Sequence, residues 1–579
     1  MKITKRLLSI VAFSSMLSAS VVTTGDINSN KYSDRGLVVL SSSKSSGVTK
    51  ELLQINNPQK LLYWLESKMS FGSLLQPLND NKLIYDLNGT KLYAEIDESR
   101  LKSGKDDSVV LYLAREDNSS SDIDIEKVFR LYVTVKDGYP VKGYFKDVNS
   151  STIKTVNGKK IVDTLKWSGA GFECTPYKEN EFRECDFRGG EFLLQESGSS
   201  EPGTFKISGI ECKVKVKNRY IGTQNCKLPM VSIDIYGDSL QKSKVISGIL
   251  KDLDIYNSVE LKSKSIANGS RFNLKSLDFI VNDPVSGNVT ITVSDLKLKG
   301  IGKNIPKEAL AYADTILKSG RVSTPDNVDT ANKLLKLLLS GGVEYGLNIS
   351  LKSLYISNAL KQDLSVVDIK DYSGDYKLVI GDTIFYQEKS GINRFDYNST
   401  KPKLSINLKE PHYNLSIDGI KNILPEMLDI VNSLVKLDFA GKTDSKEAFL
   451  YQQKMMELPY KISQNGVHIA ISPIEFKSLS IQDKNIKRDY GHIILNFDAK
   501  LSKNQLIPNN QMSAMMLLGY LNANSTIKMS QKDFESILTT LPKNVQPVVS
   551  MLAKKEGGDI IFYIEFKQGR LLVNGQPVM

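Results

Sequence analysis

Histidine and cysteine are scarce: there are three of one and four of the other in 579 residues. Zinc fingers, iron–sulfur clusters and most histidine-based enzymes therefore have few parts to build from. Beyond the first 22 residues no apolar run is long enough to cross a bilayer as a helix, which excludes a polytopic helical membrane protein. No arginine-rich stripe with interleaved aromatics occurs, so the sequence offers no nucleic-acid footprint. There is no Gly-x-Ser-x-Gly elbow, P-loop, dinucleotide glycine fingerprint or His-Glu-x-x-His. The reading is accordingly a protein with no catalytic motif, no cofactor and no metal. The composition is otherwise that of a folded chain, with 41% hydrophobic residues, 24% charged residues and a mean hydropathy of -0.23.

The N-terminus points to export. Lys2, Lys5 and Arg6 precede the apolar stretch Leu7 to Leu17, and Ser18-Ala19-Ser20 supplies small residues where a signal peptidase reads. The expected mature chain begins near Val21. Removing three positive charges takes the formal net charge from +11 to +8. Lysines and acids alternate along the chain instead of clustering, the pattern of a solvated surface with at most a weak attraction to anionic polymers or lipids.

In an exported protein an even number of cysteines reads as disulfides. Gly171-Phe172-Glu173-Cys174 recurs as Gly209-Ile210-Glu211-Cys212, and each copy is followed by a second cysteine, Cys185 or Cys226. Residues 212–217 alternate strictly, as a half-buried strand does. Hairpins turning at residues 179–180 and 218–220 would set Cys174 opposite Cys185 and Cys212 opposite Cys226. A connectivity joining the two hairpins remains the alternative. Structural zinc sites want closer cysteine spacing, and a Cys-x-x-Cys redox motif is absent. Glu173 and Glu211 are the available paired carboxylates, and hairpin geometry accounts for their repetition beside the cysteines.

Five regions follow: a signal segment 1–20, a Ser-rich polar segment 21–56, an N-terminal α+β region 57–160, a β-rich repeat region 161–345 with the two cysteine hairpins, and a C-terminal α+β region 346–579. Asn57-Pro58 reads as a helix start. Val289, Ile291 and Val293 share one strand face, while Leu296 and Leu298 carry the alternation in the other phase, which implies a bulge or bend. Leu274-Lys275-Ser276-Leu277 recurs as Leu351-Lys352-Ser353-Leu354 and, more loosely, as Phe476-Lys477-Ser478-Leu479. Helical apolar stripes appear at 329–340 and 418–436, where Pro425 marks a kink or a late start. Ser530 and Asp533 form a capping pattern, and the chain closes on a hairpin turning at residues 567–570. His412, His468 and His492 sit in or beside strand-like runs, where cross-strand or edge positions are expected. The fold class expected from these elements is α+β: β-rich, with extended, curved antiparallel sheets and amphipathic helices packed on them.

The export signal, the Ser-Leu-x-[Phe/Ile] segments such as Lys275-Ser276-Leu277-Asp278-Phe279, the strand–helix run 289–319 and the closing residues 566–577 resemble the YdgA-like family of bacterial envelope proteins. The resemblance covers most of the chain after about residue 160. It implies a location in the cell envelope and no established reaction; the location expected is the periplasm of a Gram-negative bacterium, with inner-membrane association left open. The function expected is therefore a non-enzymatic scaffold or a binder of a hydrophobic ligand or partner, with an envelope protein or a lipid as partner, association with a membrane surface, and no nucleic acid. A periplasmic hydrolase without a recognisable motif, or a secreted adhesin or effector, is the alternative. Met455, Met456, Met512, Met515, Met516, Leu517, Leu518 and Met551 suggest an apolar patch within residues 410–560.

Overall fold

The structure, a computed structural model, describes residues 36–58, 60–61, 88–114 and 130–578, less short interruptions at 138, 157, 177, 179–180, 199–201, 218–220, 238–243, 284–286, 320–324, 340, 361–362, 442–444, 485 and 505–517. The signal segment, the first part of the Ser-rich stretch, the apolar residues expected at 62–65, both cysteine-hairpin turns and Met512, Met515, Met516 and Leu517 lie outside the described residues. The chain divides into two compact units. The first takes residues 1–261, 269–279 and 317–320, and the second takes 262–268, 280–316 and 321–579.

The first unit is a meander of antiparallel strands. β1 (Leu37–Ser45) and β2 (Val48–Ile55) turn through Ser46 and Gly47, both in the left-handed region. That is the turn that matches strand twist. β2 pairs with β3 (Lys91–Asp97), which leads into helix α1 (Glu98–Ser103), capped by the Asp97 carboxylate on Ser99 N and Arg100 N. The ladder continues through β4 (Val109–Leu113), β5 (Arg130–Lys136) and β6 (Tyr139–Phe145). The hairpin of β7 (Val148–Val156) and β8 (Lys159–Ser168) precedes β9 (Gly171–Cys174). β10 (Arg183–Ser197) then pairs with β9 over its first half and with β8 over its second. The changeover sits at Gly189-Gly190, where a Cβ on Gly190 would lie 2.0 Å from Ser168 O. β11 (Gly203–Val216), β12 (Gly222–Tyr236) and β13 (Lys244–Leu261) complete the sheet.

This unit holds a closed core. Leu53, Ile55, Leu92, Val109, Leu131, Val133, Leu165 and Trp167 are buried together, and Asn57 caps the turn that buries Leu61 by accepting from Lys60 N at 3.0 Å. The Trp167 indole N–H donates to Gly189 O at 2.9 Å, so its polar tip is satisfied while its ring packs on Phe145.

β14 (Ser265–Asp283) contributes residues to both units. In the second unit β15 (Gly287–Pro306) is followed by helices α2 (Glu308–Ser319) and α3 (Pro325–Leu338). Then come β16 (Val343–Leu360), β17 (Asp363–Ile380), β18 (Thr383–Thr400), β19 (Lys403–Lys409) and β20 (His412–Lys421). α4 (Leu424–Phe439) and α5 (Lys446–Ser463) precede β21 (Val467–Phe476), β22 (Ser478–Asp483), β23 (Ile486–Tyr490) and β24 (Ile493–Leu501). β25 (Leu521–Ser530), α6 (Gln531–Leu538), α7 (Gln546–Leu552), β26 (Lys554–Glu556), β27 (Asp559–Lys567), β28 (Arg570–Val573) and β29 (Gln576–Pro577) end the chain. The ladder runs β15–β16–β17–β18, then β20–β21–β24–β25–β27–β28, with β19–β22–β23 alongside.

β19 and β20 lie on the same side of β18, in one register, separated only by Glu410 and Pro411. β21 and β22 are likewise interrupted only at Lys477. The interruptions fall on one transverse row. Asp295, Asp371 and Glu410 adopt left-handed conformations there, which short acidic side chains tolerate better than branched ones. Lys352, Asn393 and Lys477 stand opposite them, and the β15–β16–β17–β18 ladders omit one pair at this row. Asn393 donates to Asp371 at 3.1 Å, and Lys477 pairs with Glu410 at 3.0 Å. This row explains two features of the sequence. The apolar alternation changes phase across it, as from Val293 to Leu296. The recurring Leu/Phe-Lys-Ser-Leu segments place Lys352 and Lys477 on it. In the first unit Asp252, also left-handed, bonds Lys275 of the remaining copy at 3.3 Å.

The expected fold class is corrected. The described residues are 67% strand and 16% helix, so the fold is nearly all-β rather than α+β with a helical layer on the sheets. Six strands from β13 to β18 run 18–20 residues, against a usual five or six. The phase change at the transverse row divided these strands into short runs and hid their length. The helices also begin later and cover less. Pro425 starts α4 at its first turn, so Ile420 belongs to β20. Ile430 and Leu458 bury α4 against α5, with Met427, Leu434, Tyr451 and Met455 packed around them.

Candidate functional site: an apolar sheet face with one carboxylate

Directly opposed residues in a ladder share a face. The register therefore defines a row that crosses the second unit's sheet: Gly300, Leu347, Tyr376, Glu388, Leu415, Ile471, Phe497, Ser525, Ile564 and Val573. Nine inter-strand steps of about 4.8 Å make it roughly 43 Å wide. The next row on the same face holds Ile349, Gly374, Ser390, Tyr413, Ile474, Leu495, Ile527 and Phe562. On its other side lie Tyr345, Leu378, Tyr386, Ile417, Ile469, Ala499, Ala523 and Phe566. The opposite face carries Asp375, Lys377, Lys389, Asn414, Asp498, Lys500, Asn524 and Glu565.

A sheet with one apolar and one polar face ordinarily buries the apolar one. Among the described residues it is covered only at its margins. Val343 and Ile380 are buried at one end. At the other, Phe534, Ile537 and Leu538 of α6 and Val549 of α7 close over Met529, Ile560, Ile493, Ile527 and Phe562. Ser530 fixes α6 by accepting from Asp533 N at 3.1 Å, as its capping pattern implies. Between these margins the side chains stay partly open: Leu347 is 41% exposed, Ile474 38% and Tyr413 37%. Tyr372, Tyr376, Ile392, Leu415, Ile471 and Phe497 are all half-buried.

Glu388 is the one charged side chain in these three rows. It stands opposite Tyr376 and Leu415. Its carboxylate accepts from the Tyr386 hydroxyl at 2.8 Å and from the Tyr413 hydroxyl. The Tyr372 and Tyr376 hydroxyls bond each other at 2.6 Å and lean over Gly374, where a Cβ would lie 2.7 Å from Tyr372 Oη and 2.8 Å from Tyr376 Cε2. Burial and the neighbouring Glu388 push the Tyr386 and Tyr413 phenols up to about 12. Burial and the Tyr372 hydroxyl raise Tyr376 as well. All three phenols are therefore protonated donors at neutral pH.

The sequence-derived positions fall elsewhere. Cys174 is bonded to Cys185 and Cys212 to Cys226, each directly opposed across adjacent strands, so the connectivity between hairpins does not occur. Lys217 N donates to Ile221 O at 2.9 Å. Glu173 opposes Asp186 and Lys142 whereas Glu211 opposes Arg188 and Lys227, so the structure does not bring the two glutamates together. The histidines are cross-strand residues. His468 bridges Asp498 at 2.7 Å and Asp418 at 3.2 Å, and His412 and His492 share Glu475. Among the described residues no group of three or more His, Cys, Asp or Glu side chains is placed to hold a metal. The apolar patch sought around the methionines is carried by strands instead. Met455 packs between α4 and α5, and Met551 and Leu518 are exposed but belong to none of the rows. A shallow cleft of about 440 Å³ on the transverse row is lined by Lys352, Lys370, Asp371, Asn393, Arg394, Lys409 and Glu410.

Glu388 escaped sequence reasoning because a lone acid in a strand reads as solvent-facing. The available signal was its parity: Ile384, Tyr386, Glu388, Ser390 and Ile392 alternate together, as do Tyr372, Gly374 and Tyr376. No family model, curated protein or solved structure matches this chain. Two disulfides between neighbouring strands fit an exported protein in an oxidising compartment. Among the described residues no helix is long and apolar enough to cross a membrane.

Proposed function

We propose that this chain is a non-enzymatic protein of the bacterial cell envelope, YdgA-like and periplasmic, that holds the hydrocarbon part of a lipid on the apolar face of its second unit. The observation that carries the reading is the open stretch of that face between Val343 and Ile380 at one end and the lid of α6 and α7 at the other. Burying apolar surface is worth about 25 cal/mol per Å². Side chains left half-open from Leu347 to Ile564, seven inter-strand steps or roughly 34 Å, therefore gain from an apolar occupant. Large exposed apolar patches on soluble proteins mark interaction sites. The long strands hold the face as a rigid platform, since each is tied to a neighbour on either side along its length.

The test is mass spectrometry of organic extracts from the mature protein, purified from envelope fractions in mild detergent. Lipid should be present in stoichiometric amount with the wild type and lost with Phe497→Lys, which puts a charge in the middle of the face. Equal, trace amounts of lipid in both preparations would reject the reading.

A further inference from the structure

A face made for hydrocarbon alone has no use for a carboxylate. An unpaired charge on an apolar surface costs solvation free energy and is retained where it meets a partner. Glu388 has no cationic partner among the described residues, and no lysine or arginine shares its face in the rows traced above. Its two oxygens are held by the Tyr386 and Tyr413 hydroxyls. Those phenols are neutral donors, so they orient the carboxylate without neutralising it. Tyr376 stands directly opposite on β17, and Tyr372 is bonded to it. Tyrosine rings attract cations through their π faces, and a carboxylate beside several such rings is the donor set that selects an ammonium group.

We propose that Glu388, with Tyr372, Tyr376, Tyr386 and Tyr413, receives the ammonium headgroup of an amphiphile whose hydrocarbon lies along the apolar face. This rests on the function proposed above and narrows it to amine-bearing lipids over anionic ones. A phosphate or carboxylate with no compensating cation would meet Glu388 with like-charge repulsion. The basic cleft on the transverse row does not offer that compensation to this face, because Lys370, Arg394 and Lys409 alternate with the apolar Ile369, Phe395 and Leu408 and so point the other way.

The experiment measures binding of two fluorescent phospholipids with identical labelled acyl chains, one with an ethanolamine and one with a glycerol headgroup, to full-length mature protein stripped of lipid. Wild type should prefer the ethanolamine lipid by about tenfold or more, equivalent to about 1.4 kcal/mol. Glu388→Gln should cut that preference to less than about twofold while still binding the glycerol lipid. Equal affinity of wild type for both, or a preference for the glycerol lipid, overturns the headgroup assignment and leaves the lipid-binding reading in place. Failure to bind either lipid overturns the lipid-binding reading itself. Should Glu388→Gln not fold, competition by tetramethylammonium chloride against sodium chloride on wild type decides the matter. Displacement of the ethanolamine lipid alone supports the assignment, and no displacement refutes it.

Discussion

Placing a lysine on the apolar face has sharply different consequences at its open centre and beneath its lid. Leu347 and Ile560 lie on the same sheet, but Leu347 is 41% exposed while Ile560 is 1% exposed under α6. A fully buried leucine side chain is worth about 1.5–3 kcal/mol of transfer free energy. With 41% of its surface already in water, Leu347 contributes roughly 1–2 kcal/mol. A lysine keeps part of that through its methylene stem while its ammonium reaches solvent. Leu347→Lys should therefore cost less than about 1 kcal/mol. Ile560→Lys loses the whole transfer term and leaves an unpaired charge packed against Met529 and Phe534, where such a charge costs about 3–5 kcal/mol. Urea unfolding of the lipid-free protein, followed by circular dichroism with m-values compared, reads both. Equal destabilisation by the two substitutions would mean that the centre of the face is packed, and the reasoning from its openness would fall.

Non-reducing peptide mapping should find Cys174 linked to Cys185 and Cys212 to Cys226; any peptide crossing between the pairs contradicts the structure. With sequence separations of 11 and 14, each bridge should stabilise by at most about 3 kcal/mol, read as the loss on reduction or Cys→Ser pair substitution. The hydrogen bond to Asp498 holds the His468 pKa above its ordinary value despite partial burial, and Asp418 adds to the effect. The stability this contributes is complete below the unfolded-state pKa of about 6.5 and is lost as pH rises through the folded-state pKa. Thermal midpoints from pH 5 to 9 should show that step in wild type and not in His468→Gln. Gly374→Ala should cost about 1 kcal/mol by forcing the Tyr372 and Tyr376 hydroxyls apart. An unchanged urea midpoint would show that the two phenols do not rest over that glycine.

Local signals carried far into this structure where the interactions are local. The repeated Gly-x-Glu-Cys segments sit on strands whose cysteines oppose, Ser530 caps α6, and the C-terminal turn falls at Gln568-Gly569 with both residues left-handed. Strand length was not legible. At Asp295, Asp371 and Glu410 a left-handed residue reverses the alternation, so an 18-residue strand reads as two short ones with a loop between. That reversal made the helical stripes look like half of a layered fold. The site was least visible, because a face spanning ten strands is a property of register rather than of any segment. Glu388 has lysine on one side and glutamine on the other in sequence, and only its ladder partners Tyr376 and Leu415 show that it shares the apolar face.

The central claim is that one face of the second unit's sheet, and not the other, holds lipid. Phe497 and Asp498 are consecutive residues of β24 on opposite faces. A photoreactive benzoylphenylalanine at each position in turn, irradiated in envelope preparations, compares the two faces with the same strand as its own control. The account predicts a lipid-mass adduct on the peptide carrying position 497 and none on the peptide carrying position 498. Adducts of equal yield at both positions, or a crosslink at 497 only to protein, would contradict it.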